Sequence, residues 1–301
     1  MPEYRLFFQK LPKTDMAYSL EHLLNTLAGE LETLYEKPEA RTMAEWLLQH
    51  LLGMGGFELR QRRREEAPEE VVAQAQELLQ RLLLHEPLQY VLGEASFYGR
   101  EFHVTPAVLI PRPETEELVQ WVIQDCKRHP HVRLLDIGTG SGCIPITLAA
   151  ELPQAQVWGL DVSAEALAVA RQNAERLGQT VTWLQQDILT QVPAVAPHSL
   201  HAVISNPPYV LEEEKALMRE NVLAFEPHLA LFVPNEDPLR FYRRIADVAR
   251  ELLQPGGKLY FEINERYATE TVTMLEGFGY TQVVVKQDLR DRPRMVAAIW
   301  Q

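Results

Sequence analysis

The sequence has little cysteine and no long apolar run. Only Cys126 and Cys143 occur among 301 residues, which is too few for a disulfide framework or a multi-cysteine zinc site. We therefore expect a protein of the reducing cytoplasm. No stretch approaches the roughly 18 consecutive apolar residues that a membrane-spanning helix needs. The start, MPEYRLFFQK, lacks the cationic and apolar regions of a signal peptide, which argues against secretion.

Positive charge is also scarce relative to negative charge. The chain has 29 Lys and Arg against 42 Asp and Glu, a net charge of −13. Proteins that grip duplex nucleic acid usually do so with a basic surface, so this balance favours a protein or small-molecule partner. The nine histidines form no pair at ligand spacing with cysteine or carboxylate support, and we expect no metal site.

The apolar pattern of the first 85 residues is helical. Leucines recur at three- and four-residue spacing, a second stripe ends at the glycines of GMGG, and Pro68 opens a third. Residues 60–70, between the second and third stripes, carry four arginines and four glutamates, which is typical of a solvated connection between helices. We predict a small all-α bundle over residues 1–85. The first two stripes are Leu20, Leu23, Leu24, Leu27, Leu31 and Leu34, and Met43, Trp46, Leu47, Leu51 and Leu52.

The pattern changes after residue 85. Aromatic and β-branched residues around Gly93 and Gly99 predict a β-hairpin linker over 86–105. From 106 to 301, short apolar runs alternate with helical stretches, which is typical of a doubly wound α/β domain with a mostly parallel sheet. The last two strands are joined by a polar loop and should pair antiparallel at one edge. The seven candidate strands are VRLLDIG, AQVWGLDV, TVTWLQQD, HAVISNPP, GKLYFEIN, TQVVVKQ and RMVAAIW.

A glycine-rich turn follows the first of these strands. RLLDIG leads into Gly138, Gly140 and Gly142 and then into a helix, so backbone N–H groups can approach a ligand there. A dinucleotide fingerprint would place its third glycine at position 143, which is Cys143, and this disfavours a nicotinamide or flavin cofactor. Asp161 ends the next strand, where a carboxylate can accept hydrogen bonds from both hydroxyls of a ribose. We therefore expect a nucleoside-containing ligand.

The fourth strand ends in Asn206-Pro207-Pro208-Tyr209. Ligands bind at the carboxyl ends of strands in such sheets. The prolines fix φ and lack N–H groups, so nearby carbonyl oxygens are held outside the ladder. Asn206 adds a side-chain oxygen, Pro207 a backbone one, and Tyr209 an aromatic face. The two oxygens form a rigid acceptor pair and the Tyr209 ring a stacking plate, an arrangement suited to a planar –NH2 group.

With these motifs the chain resembles the S-adenosylmethionine-dependent methyltransferases that modify planar nitrogens, and more narrowly the release-factor glutamine N5-methyltransferases. NPPY alone is shared with adenine-N6 DNA methyltransferases, and its combination with IPRPETEELV narrows the match. The resemblance implies a Rossmann-like methyltransferase domain over 106–301 and a substrate-docking role for 1–85. The segments that carry the resemblance are EPLQYVLGEASFYG (86–99), PAVLIPRPETEELV (106–119), LLDIGTGSGCI (134–144), VISNPPYV (203–210) and FEPHLALF (225–232).

The resemblance also assigns roles to individual residues. It implies that Asn206, Pro207 and Tyr209 are catalytic, that these three and Pro208 bind the substrate, and that S-adenosylmethionine is the cofactor. Ile188 stands where family members often have a larger aromatic residue. The family's cofactor-binding residues fall on Asp136, Gly138, Thr139, Gly140, Ser141, Gly142, Asp161, Asp187, Ile188 and Asn206.

The reaction implied is methylation of the glutamine in the Gly-Gly-Gln loop of class I peptide-chain release factors. A glutamine methyltransferase of a ribosomal protein is the nearest alternative, and adenine-N6 methylation of nucleic acid is disfavoured by the net charge. A non-catalytic nucleoside-binding protein is disfavoured by the intact tetrapeptide. Arg112, Glu114 and Glu116 could touch the cofactor or form an ion-pair network where the domains join.

Overall fold

The computed structural model describes residues 18–129 and 131–301. Its contacts divide the chain into two compact units, the first ending at Leu92 and the second spanning Gly93–Gln301. Within the described residues, no helix is both long enough and apolar enough to cross a membrane.

The first unit is a helical bundle with a leucine-rich core, as the three- and four-residue spacing predicts. Ser19 caps the first helix by accepting a hydrogen bond from the His22 N–H at 3.2 Å. Gly53 ends the second in the left-handed conformation, with φ 62°. The helices are α1 (Leu20–Leu31), α2 (Lys37–Leu52), α3 (Gly56–Arg62), α4 (Glu69–Leu83) and α5 (Leu88–Leu92).

Three expectations about this part of the chain were wrong. Trp46 belongs to α2 but is 51% exposed, and Leu34 lies beyond the end of α1 and is 40% exposed. Of residues 60–70, predicted as a solvated connection, 60–62 end α3 and 69–70 begin α4, while residues 63–68 join the two helices and are exposed except for Ala67. Residues 88–92 form a helix rather than part of the hairpin.

The second unit contains the hairpin and the α/β domain. The hairpin pairs β1 (Glu94–Phe97) with β2 (Arg100–His103). Then come α6 (Pro113–Cys126), β3 (Arg133–Ile137), α7 (Cys143–Glu151), β4 (Gln156–Asp161), α8 (Ala164–Arg176), β5 (Thr182–Gln185), β6 (Leu200–Ser205), β7 (Val210–Leu211), α9 (Glu220–Phe225), β8 (Phe232–Val233), α10 (Arg240–Leu252), β9 (Leu253–Glu262), α11 (Ala268–Gly277), β10 (Thr281–Gln287) and β11 (Pro293–Ile299). Short 3₁₀ helices cover Glu212–Leu217, His228–Ala230 and Glu265–Tyr267.

Seven strands form the central sheet in the order β10-β11-β9-β6-β3-β4-β5. All neighbours are parallel except that β11 runs antiparallel to both β9 and β10. Alternate residues of β3 enter different cores: Leu134 packs in a cluster with α6 and α7, and Leu135 in one with α10. The seven-stranded, doubly wound fold predicted from the sequence is confirmed, with helices on both faces and an antiparallel edge pair.

Candidate active site

A cleft opens at the carboxyl ends of β6, β3 and β4, three adjacent strands of the sheet. Its volume is about 1320 Å³, including the open space at its mouth. The chain leaves β3 toward β4 on one side, while β6 lies on the other, so this is the switch point at which doubly wound sheets bind ligands. Of the predicted site residues, Gly138, Gly140, Asp161, Asp187, Ile188, Asn206, Pro207 and Pro208 line this cleft.

The glycine loop is tied to the neighbouring strand through its backbone. The N–H groups of Gly138 and Thr139 both donate to the Leu160 carbonyl, at 2.8 and 3.0 Å. A Cβ on Gly140, which has φ 53°, would meet nothing within 4 Å, whereas one on Gly142, with φ 80°, would lie 2.8 Å from Ile146 Cδ1. Gly140 therefore leaves room at the cleft, while Gly142 allows close packing at the start of α7.

Asp136, at the end of β3, and the loop residues Thr139 and Ser141 are buried and do not line the cleft. Both carboxylate oxygens of Asp136 and the Thr139 hydroxyl lack hydrogen-bond partners among the described residues. Burial raises the pKa of Asp136 to about 7, the nearby Thr139 hydroxyl acts in the opposite direction, and the negative charge of Asp161 adds to the rise. An unpaired carboxyl under a ligand-binding loop fits a site that receives a cationic or hydrogen-bond-donating group.

Asp161 is held at the cleft by two backbone donors. Its Oδ2 accepts from the Gly140 N–H and its Oδ1 from the Ser163 N–H, both at 2.9 Å. Burial raises the pKa of Asp161, and these backbone hydrogen bonds act in the opposite direction. Each oxygen keeps a further lone pair, so the carboxylate can also accept from the two hydroxyls of a ribose.

Asp187 and Ile188 form one wall of the cleft. The Asp187 carboxylate accepts from the Leu189 N–H at 2.9 Å and from the Thr190 hydroxyl at 3.2 Å. Ile188 is buried, and its carbonyl accepts from Arg244 Nε at 2.8 Å. These contacts fix an apolar surface next to an acceptor group, an arrangement that suits the ring and exocyclic amine of an adenine.

The tetrapeptide follows β6 directly. Asn206 donates from Nδ2 to Thr115 Oγ1 at 3.1 Å. Among the described residues, neither Asn206 Oδ1 nor the Pro207 carbonyl oxygen accepts a hydrogen bond. Asn206 and Pro207 thus line the cleft and each has an oxygen without a donor. The predicted acceptor pair needs two such oxygens.

Tyr209 is placed differently from the other three residues. It does not line the cleft, and its ring packs against the apolar cluster formed with α10 and β9. Its hydroxyl donates to Glu262 Oε1 at 3.1 Å. The stacking plate inferred for Tyr209 from the sequence is thus not part of the cleft wall in this conformation.

Two residues near the tetrapeptide escaped the sequence reasoning. Thr115, in the first turn of α6, donates from its hydroxyl to Glu262 Oε2 at 2.6 Å while accepting from Asn206. Thr115 and Glu262 are 3% and 1% exposed. A glutamate at the end of a strand could have drawn attention to position 262, but the sequence has no signal that connects it to Thr115.

The charged residues of IPRPETEE do not line the cleft. Arg112 pairs with the buried Glu226, with 2.6 Å between Nη2 and Oε1. Glu226 Oε2 also accepts from the Ile110 N–H at 3.2 Å, and Glu116 accepts from the Tyr98 N–H at 2.9 Å. Arg112 and Glu116 therefore brace loops inside the second unit.

Known proteins similar to this chain are methyltransferases. A family model described as PrmC N-terminal domain matches residues 22–93, and one described as Methyltransferase small domain matches residues 116–226. A release factor glutamine methyltransferase from Bacteroides thetaiotaomicron is 53% identical over 219 residues, covering 72% of this chain and 77% of that protein. The chain belongs to the release factor glutamine methyltransferase family.

A second member of the family covers the chain almost completely. The release factor glutamine methyltransferase of Chlorobaculum tepidum is 37% identical over 303 aligned residues, which cover 97% of this chain and 100% of that protein. A solved structure of a methyltransferase from Pyrococcus furiosus is 16% identical, with a TM-score of 0.48, over 73% of this chain and 96% of that chain. The predicted family, enzyme class and S-adenosylmethionine cofactor are confirmed, and the ribosomal-protein and nucleic-acid alternatives are not favoured.

Proposed function

We propose that this family member methylates N5 of the glutamine in the Gly-Gly-Gln motif of class I peptide-chain release factors, using S-adenosylmethionine. The proposal takes its substrate from the names of the relatives. One observation above all supports its chemistry: Asn206 Oδ1 and the Pro207 carbonyl oxygen, both on residues that line the cleft, accept no hydrogen bond from any residue that the structure describes.

The residues of the cleft fit the cofactor. We propose that Gly138 and Gly140 give it room, that Asp161 accepts from its ribose hydroxyls, and that Asp187 and Ile188 flank its adenine. The unpaired Asp136 carboxyl beneath the loop favours the cationic end of the molecule. When bound, S-adenosylmethionine supplies an activated methyl group on a sulfonium with a neutral leaving group.

The protein must then overcome the weak nucleophilicity of an amide nitrogen, whose lone pair is delocalised into the carbonyl. Hydrogen bonds from its two N–H groups to Asn206 Oδ1 and the Pro207 carbonyl would orient the nitrogen toward the methyl carbon. They would also stabilise the positive charge that develops on nitrogen during transfer. Glu262, the carboxylate next to Asn206, already accepts from Thr115 and Tyr209, so we propose that the proton leaves late, to water.

Four further assignments belong to this proposal. Pro208 stiffens the acceptor pair, and Tyr209 acts by anchoring the tetrapeptide to Glu262. The helical unit, predicted as a substrate-docking domain over 1–85, engages the release factor. The enzyme works in the cytoplasm, which is consistent with Cys126 and Cys143 being free and buried.

The test uses the variant Asn206→Ala. Purified wild type and variant are incubated with labelled S-adenosylmethionine and release factor, ribosomal proteins or DNA in parallel, and the methylated atom is mapped by mass spectrometry. We expect label on the Gly-Gly-Gln glutamine with wild type and a loss of about 100-fold or more with the variant, while cofactor affinity is retained. The control Asn235→Ala changes an exposed asparagine outside the cleft and should behave as wild type. Label on nucleic acid, or full activity of Asn206→Ala, would contradict the assignment.

A further inference from the structure

We propose that Thr115 and Glu262 are positioning residues that fix which end of the Asn206 side-chain amide faces the substrate. This inference rests on the proposed function, because it concerns how Asn206 comes to present its oxygen to a carboxamide. It assigns a role to two residues outside the tetrapeptide and outside the cleft wall.

Three elements bring these residues together. Asn206 follows the end of β6, Thr115 lies in the first turn of α6, and Glu262 is the last residue of β9. The contacts run in sequence: Asn206 Nδ2 to Thr115 Oγ1 at 3.1 Å, then Thr115 Oγ1 to Glu262 Oε2 at 2.6 Å. Both supporting side chains are almost fully buried, so water does not compete for these hydrogen bonds.

The chain of hydrogen bonds has a fixed direction. An ionised carboxylate has no proton and can only accept. The single hydroxyl proton of Thr115 is therefore given to Glu262, which leaves the Thr115 oxygen as an acceptor toward Asn206. Only the NH2 end of the Asn206 amide can satisfy that acceptor, so Oδ1 is left for the substrate. With the amide turned over, Asn206 would present a donor to the donor groups of the substrate.

The same carboxylate also holds the other end of the tetrapeptide. Tyr209 donates to Glu262 Oε1 at 3.1 Å, so the first and last residues of Asn206–Tyr209 are tied to one buried group on opposite sides of the two prolines. Glutamine at position 262 would offer one acceptor oxygen to two donors, the hydroxyls of Thr115 and Tyr209. Either the Thr115 hydroxyl, which holds Asn206, or the Tyr209 hydroxyl would then lack an acceptor.

The charges around Glu262 are mixed. Burial raises the pKa of Glu262, as does the nearby Glu114, while the hydrogen bonds from Thr115 and Tyr209 and the charge of Arg294 lower it. Protonation would allow the carboxyl to donate as well as accept. The direction of the hydrogen bonds from Asn206 through Thr115 to Glu262 is therefore fixed only at pH values above this raised pKa. The wild-type rate should therefore fall at acidic pH more steeply than that of Glu262→Gln, which cannot change its protonation state.

The experiment compares Thr115→Val, Thr115→Ser and Glu262→Gln in the methylation of purified release factor. Valine keeps the shape but removes the hydroxyl, and serine restores it. We expect Thr115→Val and Glu262→Gln to lower kcat about tenfold or more, with cofactor affinity within about twofold of wild type, and Thr115→Ser to keep most of the wild-type kcat. Thr147→Val is the matched control, since Thr147 is fully buried and its hydroxyl has no partner in the part of the chain that the structure describes, and the kcat of this variant should match wild type.

The outcomes separate this inference from the proposed function. If wild type does not methylate release factor, the proposed function fails. If wild type is active and Thr115→Val retains wild-type kcat, or valine and serine impair it equally, the positioning role is overturned. Cofactor binding and thermal melting show whether each variant is folded. Should Thr115→Val be unfolded, Glu262→Gln decides: a wild-type kcat with an unaltered pH profile would overturn the role.

Discussion

At the scale of single residues, two glycines with positive φ differ in what surrounds them. Gly142 combines φ 80° with a Cβ position 2.8 Å from Ile146 Cδ1 and 3.1 Å from Ala170 and Trp183. Gly178 also has a positive φ, 64°, but open space around it. Adding a Cβ at Gly142 would therefore cause both backbone strain and overpacking, whereas adding one at Gly178 would cause backbone strain alone.

We expect Gly142→Ala to lower the free energy of unfolding by about 2 kcal/mol or more. The control Gly178→Ala should cost about 1 kcal/mol, because it carries only the conformational penalty. Urea denaturation of both variants without cofactor measures the difference. Equal losses would mean that the crowding around Gly142 relaxes at no cost.

Asp136 predicts a particular dependence of stability on pH. Its pKa is raised from 3.8 to about 7 in the folded protein, so between these values the folded state binds a proton more tightly than the unfolded one. The stabilisation is present below about pH 4 and is lost as the pH rises through 7. Asp161 and Glu262, whose pKa values are also raised, act in the same direction.

Asp136→Asn isolates the contribution of one group. Between pH 5 and pH 8, the free energy of unfolding of wild type should fall relative to that of the variant, at up to about 1.4 kcal/mol per pH unit. Denaturation curves at several pH values without cofactor give the difference. Parallel pH dependences for the two proteins would show that Asp136 ionises normally in the fold.

The sequence predicted residues of the cleft where they carry local signals. Glycines after a strand, an acid at the next strand end and a polar tetrapeptide with two prolines are each visible within a few positions. Thr115 and Glu262 are not, because their hydrogen bonds to each other, to Asn206 and to Tyr209 join residues 53 to 147 positions apart. Nothing local distinguishes Thr115 from a threonine at an ordinary helix start.

At the scale of elements, one buried side chain joins the hairpin to the cofactor loop. Asn173 on α8 accepts from the His103 N–H at 2.6 Å and donates to the carbonyls of His103 and Ser141, both at 2.9 Å. It is completely buried. It therefore satisfies three backbone groups that would otherwise lack partners away from water.

Asn173→Ala should lower the free energy of unfolding by about 2–4 kcal/mol, because three buried backbone groups lose their hydrogen bonds. The neighbouring Gln172 is exposed on the same helix, and Gln172→Ala should change stability by less than about 0.5 kcal/mol. Chemical denaturation compares the two variants. A small effect at Asn173 would mean that water or a rearranged loop replaces its contacts.

At this scale, the sequence predicted the elements that have an apolar pattern extending over several residues. The central sheet strands are short, almost continuous apolar runs, the larger helices have apolar residues at three- and four-residue spacing, and the order of the elements follows from the alternation of these two patterns. α3 and α5 are too short to establish a period, and α3 buries one residue. The two-residue strands β7 and β8 pair through Val210 and Leu211 with Phe232 and Val233, a contact set by the tertiary fold alone.

At the scale of the whole molecule, the helical unit exposes large apolar side chains. Trp46 is 51% exposed and Phe57 68% exposed. Exposed aromatic residues are favoured contact points in protein interfaces. They are therefore the places where the proposed docking role can be tested without disturbing the core of either unit.

We expect Trp46→Ser combined with Phe57→Ser to raise the KM for release factor about tenfold or more, with kcat and cofactor affinity close to wild type. Leu289→Ser is the control, since Leu289 is 91% exposed but belongs to the other unit. Steady-state methylation at varied release factor concentration gives both constants. An unchanged KM in the double variant would place docking elsewhere.

The acceptor pair at Asn206 and Pro207 also has a consequence for the end of the reaction. A primary carboxamide has two hydrogens to give, whereas the N-methylated product has one. One of the two oxygens would then face a methyl group, which gives it nothing to bind. Recognition through both oxygens would thus weaken once the first methyl has been added, releasing the modified protein and discouraging a dimethylated nitrogen.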